Sequence, residues 1–412
     1  MKNKKDKSLG DIFNSLNIHP QKSTSIEGDI TGLCNNVGSV EIPLIKEVIN
    51  DPEHREVTFL WRSEKILQSV YIRLNRITDK KNIRTGLMRH VPSTDFWILT
   101  LKLPASYRGS YSFIEVPQGM SEDDISQLGG RFSSLPGQPD PFNKEPEINI
   151  RGFGESVLSL DQAPKQNEWT QNSIQSDGVL TTSYHSIAGH ERRVRFYIPK
   201  LFSTIPLGLL VLPDAEIWFD RIGITRAIDI AINTGRIAPL AVLGIDNINE
   251  SDRVKILGGH KEFIIDISRT LLPSIHQENP DIIWAGRSKT ILAGQSLGGV
   301  TALMAALCVP DTFGTIISHS PSMWWSPERN TPTMFTENDN SWVSEMLLSN
   351  NPKDVHIQLA VGSLEGATVY HVNHLHQSLL NSGVSSELSV YTGGHDYAWW
   401  RGAIIDGLAG LQ

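Results

Sequence analysis

Cysteine is nearly absent: Cys34 and Cys308 are the two in 412 residues. One possible pair in so long a chain does not indicate a disulfide framework or an oxidising compartment. No apolar run approaches the roughly 18 residues that a membrane-spanning helix needs. Positive charge is also in deficit. Lys and Arg total 37 against 45 Asp and Glu, a formal charge of -8. That balance argues against nucleic acid as a partner, and it means that an anionic substrate needs a local basic site. The amino-terminal MKNKKDKSLGDIFNSLNIH is basic but has no apolar core. It does not read as a secretory signal, no membrane partner is expected, and the expected placement is cytoplasmic.

What is present is globular: 39% hydrophobic and 20% charged residues. A chain of this length predicts more than one domain. The expected organisation is an N-terminal tail over 1–45, a β-sandwich and its connection over 46–160, and a catalytic domain over 176–412. The tail is polar, with one short amphipathic helix expected around Leu44 to Ile49. From Arg55 the texture changes to short alternating or β-branched runs: EVTFLWRS, SVYIRLN, DFWILTLKLP and SYSFIEV. Polar turns separate them, which predicts an antiparallel sandwich of the immunoglobulin type. Tyr107-Arg-Gly-Ser-Tyr111 reads as an aromatic corner packed on that sandwich. Residues 117–175, with Gly129, Gly130, Pro136, Gly137, Pro139, Pro141 and Pro146, read as a long ordered connection.

The second half has a different grammar. Arg193 to Ile198 alternates and stops at Pro199, as an edge strand does. Leu207 to Leu212 and Leu240 to Ile245 are continuous apolar runs, as in strands buried on both faces. Helical spacing covers Trp218 to Asn233 and His260 to His276. Further strands are expected over Thr290–Ala293, Thr315–His319, Val355–Val361 and Glu387–Tyr391, with helices over Val300–Cys308, about Thr368–Leu380 and from Trp399. Strands alternating with helices predict a doubly wound, mostly parallel α/β sheet, with ligands at the carboxyl ends of its strands.

Those strand ends carry a consistent set of residues. Gly294-Gln-Ser296-Leu-Gly298 is a G-x-S-x-G between an apolar strand and an Ala-rich helix, the context of a nucleophile elbow in an α/β-hydrolase. Ser296 is the candidate nucleophile, and the N–H of Leu297 is half of an oxyanion hole. The other half is expected near Ala215, after an early strand. A nucleophilic serine needs a base and an acid to hold that base. His395, after Gly393-Gly394, is the expected base. Glu365 is the expected acid, with Asp396 the competitor and Asp354 at the wrong end of its strand. Arg253 is the cation nearest the site and a candidate substrate clamp. Trp324 and Trp325 either pack a lid or line an aromatic pocket. His371, His374 and His376 lie close together, but no carboxylate stands at a matching offset, so a solvated helix face is expected and no metal site.

With these residues identified, the chain resembles the enterochelin (enterobactin) esterase family, related to the esterase D group of α/β-hydrolases. The resemblance runs from about Val57 to the C-terminus. Trp61-Arg62, Trp97 and Tyr107-Arg-Gly-Ser-Tyr111 resemble the family's N-terminal domain, and Asp140-Pro-Phe-Asn143 its connecting segment. Ala293-Gly-Gln-Ser-Leu-Gly-Gly299, Ser322-Met-Trp-Trp325 and Gly393-Gly-His-Asp-Tyr-Ala-Trp-Trp-Arg-Gly402 resemble its catalytic domain. Arg253-Val-Lys-Ile-Leu257 departs from the family's R-x-x-E-L pattern. The resemblance implies hydrolysis of the trilactone esters of a ferric catecholate siderophore in the cytoplasm. It implies no cofactor, iron entering only as part of the substrate. The alternatives are a preference for salmochelin, the glucosylated siderophore, or a feruloyl or acetyl carbohydrate esterase of the same fold.

Overall fold

Alternation in the first half of the chain and unbroken apolar runs in the second give two different kinds of sheet. The computed structural model describes residues 41–129, 135–148, 150, 154–170, 176–200, 205–329, 331–332 and 335–411. Residues 1–40 of the expected tail over 1–45, including Cys34, lie outside the described residues. The chain divides into two compact units. One comprises residues 1–165 with 362–365 and 391–399, and the other comprises 166–361, 366–390 and 400–412. Two short segments expected in the catalytic domain therefore belong to the first unit.

The first unit holds β1 (Leu44–Val48), β2 (Asp51–Arg62), β3 (Leu67–Leu74), β4 (Arg89–His90), β5 (Phe96–Pro104), β6 (Arg108–Pro117) and β7 (Ser156–Ser159). They form a four-stranded sheet, β1-β2-β5-β4, and a three-stranded sheet, β3-β6-β7. Alternate residues Val57, Phe59 and Trp61 of β2 share one buried cluster with Val70 and Ile72 of β3 and Tyr111 and Phe113 of β6. A single core supplied by both sheets is what a sandwich requires. Tyr107 and Tyr111 of the aromatic corner are fully buried.

Two elements differ from the sequence expectation. Leu44–Val48 is a strand rather than a helix, paired antiparallel from Leu44↔Thr58 to Glu47↔Arg55. Asn50, at φ 62°, makes the reversal into β2, so tertiary pairing overrides a weak helical pattern. Ser156–Ser159, expected inside a connection, pairs with β6 from Arg108↔Ser159 to Tyr111↔Ser156.

The second unit is built on β8 (Val179–Ile187), β9 (His190–Ile198), β10 (Gly208–Pro213), β11 (Leu240–Ile245), β12 (Thr290–Gln295), β13 (Thr315–His319), β14 (His356–Gly362) and β15 (Ser385–Tyr391). Their order is β15-β14-β13-β12-β10-β11-β9-β8. The pairings β11–β10, β10–β12, β12–β13 and β13–β14 are parallel, whereas β9 and β8 are antiparallel. β9 is thus interior, not an edge. β8 covers it over the register Val179↔Ile198 to Ile187↔His190. The strand order reverses between β10 and β12, the switch point at whose carboxyl ends a doubly wound sheet opens a crevice. The residues that follow those strands are Asp214-Ala215 and Ser296-Leu297.

The long helices expected over Trp218–Asn233 and His260–His276 are interrupted. Trp218–Ile222 is a wide π turn ended by Gly223 at φ 74°, before the helix Ile224–Asn233. Ile267–Leu271 is a second π turn between Lys261–Asp266 and Leu272–Glu278. Pro273, which has no N–H to donate, falls at the start of that last helix. No helix among the described residues is long and apolar enough to cross a membrane.

Charge inside this unit is paired. The Arg192 side chain is fully enclosed and grips Asp252 with two hydrogen bonds, Nη1 to Oδ2 and Nη2 to Oδ1. Arg195 bridges Asp220 and Asp246. The Arg192 hydrogen bonds hold the Asp252 carboxyl below the usual carboxylate range. Asp252→Asn leaves a buried guanidinium without its counter-ion and should cost about 3–5 kcal/mol in urea unfolding. Because the folded pKa is depressed, the stabilisation is complete above the unfolded value of about 4 and is lost as pH falls through the folded value. The gap between wild type and variant should therefore be constant near neutrality and close in acid. A gap that widens in acid would contradict this.

Candidate active site

The turn after β12 is forced by small residues. A Cβ on Gly294 would lie 2.3 Å from the Gly298 carbonyl oxygen and 2.4 Å from its carbon, so only glycine allows the helix Leu297–Cys308 to start this close to the strand. Ser296 sits between them at φ 58°, ψ -119°, a conformation that L-residues rarely adopt and that costs about 1–3 kcal/mol. The surrounding backbone over-determines it. Ser296 N donates to His319 O at 3.0 Å, and Ser296 O accepts from Gly299 N at 3.1 Å and Ser322 N at 3.0 Å. Its hydroxyl is half-buried and 3.2 Å from that of Ser322. Burial pushes the His319 imidazole down to about 3, so this histidine stays neutral and enclosed. Leu297, as the first helical residue, has an N–H with no intrahelical acceptor.

Ala215 opens the short helix Ala215–Ile217 after β10, behind Asp214 at φ 58°, ψ 36°. Asp214 is buried and central to this side of the site. Its Oδ2 accepts from Gln295 Nε2 at 2.6 Å, and its Oδ1 accepts from Asn247 Nδ2 at 2.6 Å. Gln295 in turn accepts from Trp218 Nε1 at 3.1 Å. Gln295, the residue before Ser296, thus grips both Asp214 and Trp218 of the segment that carries the Ala215 N–H. Burial, with the Asp214 carboxylate beside it, raises the Glu216 carboxyl above its usual range.

Arg253, expected as the substrate cation, is committed here. Its Nε donates to Asp214 Oδ1 at 2.6 Å and its Nη2 to Oδ2 at 2.9 Å. A bidentate pair with a carboxylate whose side chain is 1% exposed makes Arg253 a brace of the Asp214–Ala215 loop rather than a clamp. The tryptophans also separate. Trp325 is buried edge-on against Trp342 at 5.1 Å and His260 at 5.4 Å, so it packs the loop after β13. Trp324 is half-buried.

His395 and Glu365 belong to the first unit and are brought together. His395 Nδ1 is 2.6 Å from Glu365 Oε2, with the Glu365 side chain fully buried and that of His395 32% exposed. Glu365 Oε1 accepts from Gly362 N at 2.8 Å, which fixes the carboxylate. A Cβ on Gly362 would lie 2.5 Å from the carbonyl oxygens of both Gly393 and Gly394. Asp396, the competing acid, turns away. Its Oδ2 accepts from the N–H of Ser110 at 2.6 Å and the Ser110 hydroxyl at 2.8 Å, and its Oδ1 accepts from Ala398 N at 2.9 Å.

The sandwich holds the rest of this loop. Arg108 N donates to Thr392 O at 2.9 Å, the hydroxyls of Ser106 and Thr392 are 2.8 Å apart, and Asn75 Nδ2 donates to His395 O at 3.2 Å. The contacts of Asn75 and Ser110 with residues 395 and 396 are not readable from sequence, because they join segments about 300 residues apart. His371, expected on a solvated face, is buried against Phe335 at 4.6 Å and bonds to Thr336 O. His376 bonds to Ser386, and no cluster able to hold a metal occurs among the described residues.

Two outcomes follow from the His395 loop. Glu365→Gln should lower kcat on a chromogenic ester roughly a hundredfold to ten-thousandfold, because the amide stabilises neither the required tautomer nor an imidazolium. Wild-type kcat in this variant would remove Glu365 from the chemistry. Asp396→Asn weakens the charge-assisted tie to Ser110 and should lower kcat about tenfold at unchanged KM. A rise in KM alone would show that the tie does not orient His395.

Known proteins are similar to this chain in sequence and fold. A family model described as "Putative esterase" matches residues 185–411, and one described as "Enterochelin esterase, N-terminal" matches residues 56–169. The chain is 56% identical over 386 residues to the iron(III) salmochelin esterase of Escherichia coli O6:H1 strain CFT073, covering 93% of this chain and 94% of that protein. It is 29% identical over 379 residues to the same strain's iron(III) enterobactin esterase, covering 88% and 92%. The crystal structure of the enterobactin esterase from Shigella flexneri in the presence of enterobactin is similar at a TM-score of 0.77 and 26% identity, covering 91% of this chain and 96% of that one. The chain is a carboxylic ester hydrolase with an α/β-hydrolase fold, and it belongs to the enterochelin (enterobactin) esterase family.

Proposed function

We propose that this esterase hydrolyses the serine-trilactone bonds of ferric enterobactin-type catecholate siderophores, freeing the iron in the cytoplasm. The observation that carries the substrate class is the 56% identity, across 93% of the chain, to a protein named iron(III) salmochelin esterase. The elbow at Ser296 and the 2.6 Å pair of His395 and Glu365 support the chemistry.

In this reading Ser296 attacks the lactone carbonyl as His395 takes its proton. Glu365 holds His395 and stabilises the imidazolium. The N–H groups of Leu297 and Ala215 donate to the oxyanion, while Asp214, Gln295 and Arg253 keep the Ala215 segment in place. His395 returns the proton to the departing seryl oxygen. Water, deprotonated by His395, then releases the acyl group. The chain supplies no metal to these steps, and iron arrives as cargo of the substrate.

The contrast between 56% identity to a salmochelin esterase and 29% to an enterobactin esterase of the same strain favours a second, finer reading: glucosylated siderophore is the preferred substrate. Purified protein incubated with plain and glucosylated ferric siderophore, and with both iron-free forms, should yield linear trimer, dimer and monomer by chromatography. Turnover should be faster on the glucosylated form, and Ser296→Ala should lose it entirely. Turnover of none of the four would sink the substrate assignment. Full activity in Ser296→Ala would sink the mechanism.

A further inference from the structure

A protein of formal charge -8 needs a local cation to receive an anionic substrate, and Arg253 is occupied by Asp214. We propose that Arg76 is that cation: a half-buried guanidinium side chain on the β3 turn, packed beside the His395 loop, that receives an anionic catecholate group of the substrate. The inference rests on the siderophore reading above.

Its placement is the first support. Were Gly394 to carry a Cβ, that atom would lie 2.4 Å from Arg76 Cγ and 2.9 Å from Arg76 Cβ. The stem of Arg76 therefore lies directly on the residue that precedes His395, and Asn75, its neighbour, donates to His395 O. The second support is that Arg76 makes no hydrogen bond, ion pair or ring contact among the described residues, although it is half-buried. Its neighbours are committed. Arg73 pairs with Glu155 at 3.1 Å, and Arg108 donates to Ser159 Oγ at 2.9 Å. A partly desolvated arginine without a partner is an anion receptor in waiting.

The third support is backbone strain. Arg76 has φ 60°, where asparagine or glycine is the ordinary choice. The turn enforces this. Leu74 O accepts from Ile77 N at 3.0 Å and Thr78 N at 3.1 Å, Thr78 Oγ1 accepts from Leu74 N at 2.8 Å, and Thr78 Oγ1 donates to Ile72 O at 2.6 Å. Asn75 N donates to Ser110 O at 3.2 Å, and Asn75 O accepts from Tyr107 OH at 3.2 Å. The turn thus holds arginine at a φ that suits asparagine better, with its guanidinium unpaired among the described residues.

The test measures binding apart from turnover. In the full-length Ser296→Ala protein, the Kd for ferric enterobactin is read by tryptophan fluorescence quenching over a range of NaCl concentrations. Adding Arg76→Asn, which suits the positive φ, should raise Kd about tenfold and flatten its salt dependence. Arg76→Lys should recover part of the affinity, and Arg84→Ala, an exposed arginine paired with Glu122, should match the parent. In the active enzyme, Arg76→Asn should raise KM for the ferric siderophore far more than it lowers kcat. A parent that binds tightly with Arg76→Asn within twofold of it overturns the role of Arg76 alone. A parent that neither binds nor cleaves the ferric siderophore overturns the substrate reading, and Arg76 with it.

Discussion

The carboxylate of Asp214 is the contact on which the Ser296 side of this esterase depends. It receives Gln295, the residue before Ser296, and also Arg253 and Asn247. Three strand ends and one helix meet on two oxygen atoms. The cost of burying that charge is offset by donors that are themselves charged or fixed. In return, the distance between the elbow and the Ala215 segment is set by side chains held in a network, not by loop stiffness. Oxyanion stabilisation works only when its donors are in place before charge develops, and a network of this kind is what the proposed role of the Ala215 N–H requires.

The base side is organised on a different principle. Glu365 and His395 follow neighbouring strands of the large sheet, yet their loops group with the sandwich. Backbone from Arg108 and side chains from Asn75, Ser106 and Ser110 fasten residues 392–396. The sandwich is therefore the mount of the loop that carries His395. Asp396, although adjacent to His395, does not pair with it: its carboxylate is spent on Ser110, and Glu365 takes the imidazole.

Much of this was legible in the sequence, for physical reasons. Unbroken apolar runs identify strands buried on both faces, and β11 occupies Leu240–Ile245, the run that announced it. A glycine-flanked serine between strand and helix has few conformations available, so the elbow is readable without coordinates. Charge partners are not readable in this way. Arg253 looks free in sequence because Asp214 is distant along the chain, and Ser110 looks like ordinary strand polarity. The π turns at Trp218–Ile222 and Ile267–Leu271 preserve helical spacing on either side, which hides the break. β1 reads as helix in the sequence because five residues carry too little periodicity to outweigh pairing with a neighbour.

The glycine contacts around His395 have an evolutionary consequence. At Gly362 and Gly394 the space next to the main chain is already filled, by the carbonyl oxygens of Gly393 and Gly394 in one case and by Asn75 and Arg76 in the other. Drift in these loops meets the main chain or its anchors before it meets a substrate. Diversification among related esterases should leave this stretch nearly invariant, together with the Asn75–Arg76 turn that fills the space beside Gly394.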